Sequence, residues 1–194
     1  AVSLRAAAAL AKAGDQAAIQ LLGRFLANPS DSIRMQAAEA AGHLGKAVPA
    51  RIVRPLLGDA NPYVRIYAGE ALVRLGDASG RVHLVAALED RRPTVALYAA
   101  EALSNLGDGA GVEALGRALA EGQERSVRLY AAWTLARLGD FRGQSVVEEY
   151  LRDPDPQVRM QAAWTLGEFR NASSLSSLKR AAQDAAPPVR WQAT

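Results

Sequence analysis

Val127-Arg128-Leu129-Tyr130-Ala131-Ala132-Trp133-Thr134-Leu135-Ala136-Arg137-Leu138-Gly139-Asp140 is the stretch on which the fold turns. Val127, Ala131, Leu135 and Leu138 fall at i, i+4, i+8 and i+11, a single apolar stripe at the period of an α-helix. Gly139 then ends the run at a place where a left-handed turn costs glycine little. The pattern is V-R-x-x-A-A-x-x-L-x-x-L-G-D. It returns from Val158 as Val-Arg-Met-Gln-Ala-Ala-Trp-Thr-Leu-Gly-Glu-Phe. Earlier copies open at Ile33, Val64 and Val95, a degenerate one opens at Val2, and Val189-Arg190-Trp191-Gln192-Ala193 begins one more. The starts at 2, 33, 64, 95, 127, 158 and 189 are separated by 31 residues five times and by 32 once.

The flanks of each copy carry helix boundaries. Pro62, Pro93, Pro156 and Pro187 stand two residues before the Val, a first-turn position that does not need an N–H. Asn61 and Asp155 precede two of them and suit the N-cap. Gly14, Gly45, Gly76, Gly107 and Gly139 end the copies. Asp15, Asp77, Asp108 and Asp140 follow and suit the cap of a second helix. That helix has its own stripe, as in Ile19, Leu22 and Leu26, or Val112, Leu115 and Leu119. Each repeat is therefore a pair of antiparallel helices. One pair cannot bury its apolar face alone, but a stack can. The expected fold is all-α, a right-handed α-solenoid of about thirteen helices by these turn signals. It runs as one array over residues 1–194. Both ends fall inside a V-R helix without a polar cap repeat, so a segment of a longer chain is expected.

Two irregularities stand out. Lys46 replaces the capping Asp, Pro49 opens the second helix of that repeat, and Pro55 falls inside it, where the ring removes a backbone bond and should kink or split the helix. The single 32-residue step places one extra residue near Glu121–Ser126, which should enlarge a loop. Ala37-Ala38, Ala99-Ala100, Ala131-Ala132 and Ala162-Ala163 share one site, where small side chains let helices approach closely. Arg34, Arg65, Arg128, Arg159 and Arg190 share another, interrupted by Ala96. Beside a recurring loop Asp, this column predicts an inter-repeat ladder of Arg–Asp pairs.

The composition narrows the function classes. Of the 194 residues none is Cys, which excludes disulfides, thiol nucleophiles and thiolate metal sites. His43 and His83 lie on different helices, and no metal-binding His spacing exists, so neither a metal nor another cofactor is expected. The 23 basic and 20 acidic residues leave a net charge of +3, a thin footprint for nucleic acid despite a pI near 9.5. No apolar run has the length of a membrane span. The compartment is not fixed by these features, with the cytoplasm slightly favoured. Gly107-Asp108-Gly109-Ala110-Gly111 has the look of a phosphate loop but lacks the last Gly and the Lys, and it occupies the turn of every other repeat.

The V-R-x-x-A-A-x-x-L-x-x-L-G-D units resemble HEAT-like repeats over the whole chain, especially the short version found in phycobilin lyase subunits and many bacterial proteins. The resemblance implies that the V-R helix is the second of each hairpin and lines a concave groove, with its x positions facing that groove. Those positions hold Tyr67, Tyr98 and Tyr130 after V-R. They hold Glu39, Glu70, Glu101, Trp133 and Trp164 after the small pair, and Arg137 before L-G. Trp191 falls in the last copy. The stacked repeats predict an aromatic ladder with rungs about 10 Å apart and a carboxylate row in the N-terminal half. Such a wall suits a protein or peptide partner with apolar and basic side chains, and it could serve self-association, as could the open ends. A binding scaffold without catalytic residues is therefore expected. The alternatives are a bilin lyase-like or tetrapyrrole-handling subunit, with Arg137 meeting a propionate, and a nucleic-acid binder, which the Glu row opposes.

Overall fold

The computed structural model describes residues 3–193, and the Val2 that opens the first copy lies outside them. The V-R copies form α1 (Leu4–Lys12), α3 (Asp31–Leu44), α4 (Pro62–Arg74), α6 (Pro93–Asn105), α8 (Arg125–Arg137), α10 (Pro156–Glu168) and α12 (Pro187–Gln192). Between them lie α2 (Gln16–Leu26), α5 (Ala78–Ala87), α7 (Gly109–Ala118), α9 (Gln144–Tyr150) and α11 (Ala172–Ala181). The expected helix around Pro55 is instead three short 3₁₀ segments, Gly45–Ala47, Ala50–Ile52 and Arg54–Gly58. Pro49 stands before the second of these and Pro55 inside the third, so the chain turns but cannot build the longer ladder. Twelve α-helices and one broken one thus fill the thirteen places. All described secondary structure is helical.

The turn chemistry follows the sequence. Gly14, Gly45, Gly76, Gly107 and Gly139 all adopt positive φ. Asp15 accepts from the N–H groups of Ala17 and Ala18, Asp77 from Ser79, Asp108 from Ala110, Asn61 from Tyr63 and Asp155 from Gln157. Arg170 occupies the place of the turn glycine in the next copy and takes a φ of 49°.

The chain divides into two compact units, residues 1–111 and 112–194, with the division inside α7. In unit 1, α1 packs on α2 and α3, α3 on α4, and α4 on α5 and α6. Leu22, Val53, Val64, Leu72, Leu84, Val95 and Leu103 are among its fully buried large side chains. In unit 2, α8 packs on α9 and α10, and α10 on α11 and α12, around Leu135, Val147, Leu166 and Val189. The alanine pairs are buried throughout. In three of the helix pairs the closest crossing uses a glycine column that the sequence reading did not single out. A Cβ on Gly80 would lie 2.3 Å from the Gly69 carbonyl oxygen; one on Gly111, 2.4 Å from that of Ala100; one on Gly143, 2.7 Å from Ala132. These glycines stand one repeat apart and let the two backbones touch.

The Arg column builds links between successive hairpins. Arg34 donates through Nε and Nη2 to Asp59, at 2.7 and 2.9 Å, and Arg159 meets Asp184 the same way at 2.8 and 3.0 Å. The partner is the Asp five places before the next Val. The Asp of the Gly-Asp turn pairs elsewhere, Asp77 with Arg54 and Asp108 with Arg81. Nη1 of Arg34, Arg65, Arg159 and Arg190 also donates to the carbonyls six and five residues upstream, fastening the turn that precedes its own helix. Arg128 follows the enlarged 119–124 loop and cannot make that grip. It donates instead to the Leu119 carbonyl and the Tyr150 hydroxyl, with its guanidinium 5.3 Å from the Tyr150 ring.

Candidate binding face

The V-R helices place the x positions on one face of each unit, and the two units use that face differently. In unit 1 the carboxylates of Glu39, Glu70 and Glu101 lie close enough to act on one another and on Tyr67. Burial pushes the Tyr67 phenol above its ordinary value, and the three acids add to the rise. Burial also raises the Glu70 carboxyl, opposed by Arg74, which donates to it at 2.6 Å. His43 stands 3.9 Å from Glu39. Arg74 therefore offsets part of the acidic row, since it reaches back one turn to the acid of its own helix.

Tyr98 acts on Tyr67 and also has a partner outside the expected row. Tyr98 meets Tyr63 edge to face, with centroids 5.2 Å apart, and the Tyr63 hydroxyl shares a 3.0 Å hydrogen bond with Thr94. Tyr63 and Thr94 stand in the column immediately before the V-R Val, which the sequence reading left out. Their 31-residue spacing was the signal that would have found them.

In unit 2 the aromatics form a connected group. Tyr130 lies 5.5 Å from Trp133 on the same helix. Trp133 stacks on Trp164 of the next hairpin at 5.5 Å and 23°. This corrects the expected 10 Å rung: the two indole rings meet directly. The guanidinium of Arg137 lies 4.6 Å from the Trp133 ring. Together with Ser126, Leu129, Gln161 and Thr165, the three rings line a half-open cavity of about 340 Å³ between α8 and α10. Trp164 keeps 43% of its surface exposed. Ser126 belongs to the same overlooked column as Tyr63 and Thr94.

Trp191 stands apart from this group. It stands in the column of Ile66, Leu97 and Leu129, which are buried at 3–5%, not in that of Trp133 and Trp164. It is 85% exposed and does not line the cavity. The first x after V-R points inward in the middle repeats, and only the second lies on the open face.

Among the described residues no cluster of His, Asp and Glu could hold a metal ion, and no helix is long and apolar enough to cross a membrane. The geometry so far defines an all-α protein of stacked helical hairpins with an aromatic cavity between neighbouring V-R helices. The chain belongs to the HEAT repeats, whose family pattern matches residues 50–128 and 112–194. No curated protein matches it. Among solved structures, it is similar to the complex of CpcE and CpcF of phycocyanin lyase from Nostoc sp. PCC7120, with 20% identity and a TM-score of 0.50, covering 90% of this chain and 74% of that one. It is also similar to YibA of Escherichia coli, with 19% identity and a TM-score of 0.51, over 90% of this chain and 66% of that one. An archaeal HEAT-like repeats protein from Thermococcus onnurineus is 16% identical, with a TM-score of 0.44, over 98% and 89%. At these identities the likeness is one of fold, the all-α solenoid.

Proposed function

We propose that this chain is a binding scaffold without catalytic residues, which holds a protein or peptide partner on the groove faces of its V-R helices. The observation that carries the reading is the cavity of unit 2. Tyr130, Trp133 and Trp164 present large apolar surfaces to a half-open space, and Trp164 is exposed although it is among the costliest side chains to leave wet. Aromatic anchors of this kind carry much of the energy at protein interfaces. The acids of unit 1 suit cationic side chains.

The test is a selection of peptides from a displayed random library against the wild-type chain. The selected peptides are then titrated against a Tyr130→Ala, Trp164→Ala double variant. Loss of two anchors should weaken binding about 30-fold or more, with the melting temperature little changed because both side chains are partly exposed. Equal affinity for the variant would end the proposal.

A tetrapyrrole-handling subunit is the second reading. It is favoured by the flat stack of Trp133 and Trp164 beside the cation of Arg137, a wall that suits a conjugated ligand with a carboxylate. A visible absorbance shift of a bilin on mixing, abolished in the double variant, would favour it over the peptide. The row of Glu39, Glu70 and Glu101 repels phosphates and ranks nucleic acid last.

A further inference from the structure

The arginine column changes its partners in unit 2, where two guanidinium groups meet one aspartate. Arg34 and Arg159 each pair with the Asp 25 residues ahead. Counted the same way, the partner of Arg128 is Asp153. Arg125 holds that carboxylate instead, with Nη1 at 3.1 and 3.0 Å from its two oxygens. Other V-R helices begin with Pro62, Pro93, Pro156 and Pro187, whereas α8 begins with Arg125 after the enlarged loop. Arg128 is left with neutral acceptors, the Leu119 carbonyl at Nε and the Tyr150 hydroxyl at Nη1, both at 3.0 Å. Its side chain is only 12% exposed, and Glu149 stands 3.7 Å from Nη2, beyond hydrogen-bond reach. A guanidinium so sheltered gains from an anion that bonds it directly.

These groups share one open cavity. Arg125, Arg128, Arg152, Glu149, Tyr150 and Asp153 line a space of about 540 Å³ at the enlarged loop and the end of α9. It has no lining residue in common with the aromatic cavity. Asp153 is already occupied by Arg125 and by the Asp155 N–H. The Tyr150 hydroxyl accepts from Arg128 and keeps its own proton to donate. Arg152 is exposed, as is Glu149. Three arginines against two carboxylates leave the cavity positive.

We propose that this cavity is a second binding site and that it takes a phosphate monoester. The phosphoryl oxygens accept from Arg128 Nη2, from Arg152 and from the Tyr150 hydroxyl, while Glu149 turns outward into solvent. Arg128 and Arg152 then face the charge of about −1.5 to −2 that a phosphate monoester carries near pH 7, which a carboxylate does not supply. The volume exceeds that of a phosphoryl group and leaves room for the group that bears it.

The experiment titrates the whole chain with three probes at one ionic strength and neutral pH. Two are phosphate monoesters, glycerol phosphate and phosphoserine within an acetylated, amidated tripeptide; the third is acetate. Binding is read from backbone amide shifts in nitrogen–proton correlation spectra. At least one ester is expected to saturate with a Kd of about 1 mM or tighter, and acetate to bind at least about tenfold more weakly. Arg152→Gln should weaken the ester about three- to tenfold, and Glu149→Gln, which removes the competing carboxylate, should tighten it about two- to fivefold. Both substitutions are at exposed side chains, so the fold is retained, and their opposite signs tie the ion to this cavity. Tighter binding of the tripeptide assigns the phosphate to a modified side chain of a partner, and tighter binding of glycerol phosphate to a small phosphorylated molecule; either order supports the site. Saturation by neither ester overturns the proposal. So does acetate binding as tightly as the esters, or an affinity unchanged in either variant.

Discussion

Arg170 shows how much one backbone angle is worth. It closes its copy where five others use glycine, and its φ of 49° puts a Cβ in the left-handed region. That conformation costs an L-residue roughly 1–2 kcal/mol, while glycine brings an entropic cost of about 0.5–1 kcal/mol. Its contact with Glu168, 3.7 Å away on an 83% exposed side chain, recovers little. Arg170→Gly should therefore stabilise the protein by about 0.5–1 kcal/mol and raise the melting temperature by about 1–4 °C. A lower melting temperature would show that the Arg170 side chain contributes more than its backbone loses. The site residues were legible at this scale only in part. Periodicity put Tyr130 and Trp133 on one helix face and Trp164 on the matching face of the next V-R helix; that this face is a groove came from the family resemblance. Ring direction depends on side-chain rotamers and on the neighbouring hairpin, so neither the stacking of the two indoles nor the Tyr63–Tyr98 pair could be read from spacing. Trp191 follows V-R directly, in a column that points inward in the middle copies, so spacing alone did not give its direction.

At the scale of the element, the helix pairs are set by glycines whose role is invisible in a hydrophobic stripe. Gly80 in α5 rests on the α4 backbone, so Gly80→Ala would drive a methyl to 2.3 Å from the Gly69 oxygen and 2.8 Å from the Leu72 Cβ. Backbone cannot yield as a flexible side-chain tip does, and the substitution should cost roughly 1–3 kcal/mol. Gly23, inside α2, has nothing within 4 Å of the same hypothetical methyl. Gly23→Ala should instead stabilise by about 0.5–1 kcal/mol through helix propensity. Urea unfolding of the two variants side by side checks the contrast, and a shift of the same sign in both would refute it. The repeat pattern identified every V-R helix and the break at Pro55, because those depend on local chemistry. It gave the crossing column no weight, because Gly80, Gly111 and Gly143 sit near turns where glycine already had an explanation.

At the scale of the molecule, acid is the condition to which the links between hairpins are most exposed. The carboxyls of Asp31, Asp59, Asp77, Asp108, Asp140 and Asp184 are all held below their ordinary value, chiefly by hydrogen bonds from Arg, Asn or Ser side chains. Asp77 is lowered to about 2 by Ser79 and Arg54. A depressed folded-state value means that the stabilisation is present above the unfolded value of 3.8 and is lost as the pH falls toward 2. Glu70 runs the other way: its raised value favours the folded state when it is protonated, and that contribution fades as the pH rises through the folded-state value. The urea midpoint should thus fall most steeply between about pH 4 and pH 2. A flat midpoint across that interval would show that the Arg–Asp links contribute nothing to stability.

The short reach of those same links also governs how the chain comes together. Arg34 finds Asp59 and Arg159 finds Asp184 only 25 residues along, so each closes a small loop at modest entropic cost. Assembly by such steps is zipper-like and rapid. It also carries a particular hazard: an arginine that grips the corresponding aspartate of another molecule makes much the same bonds, so exchange of hairpins between chains is the error that concentrated refolding invites.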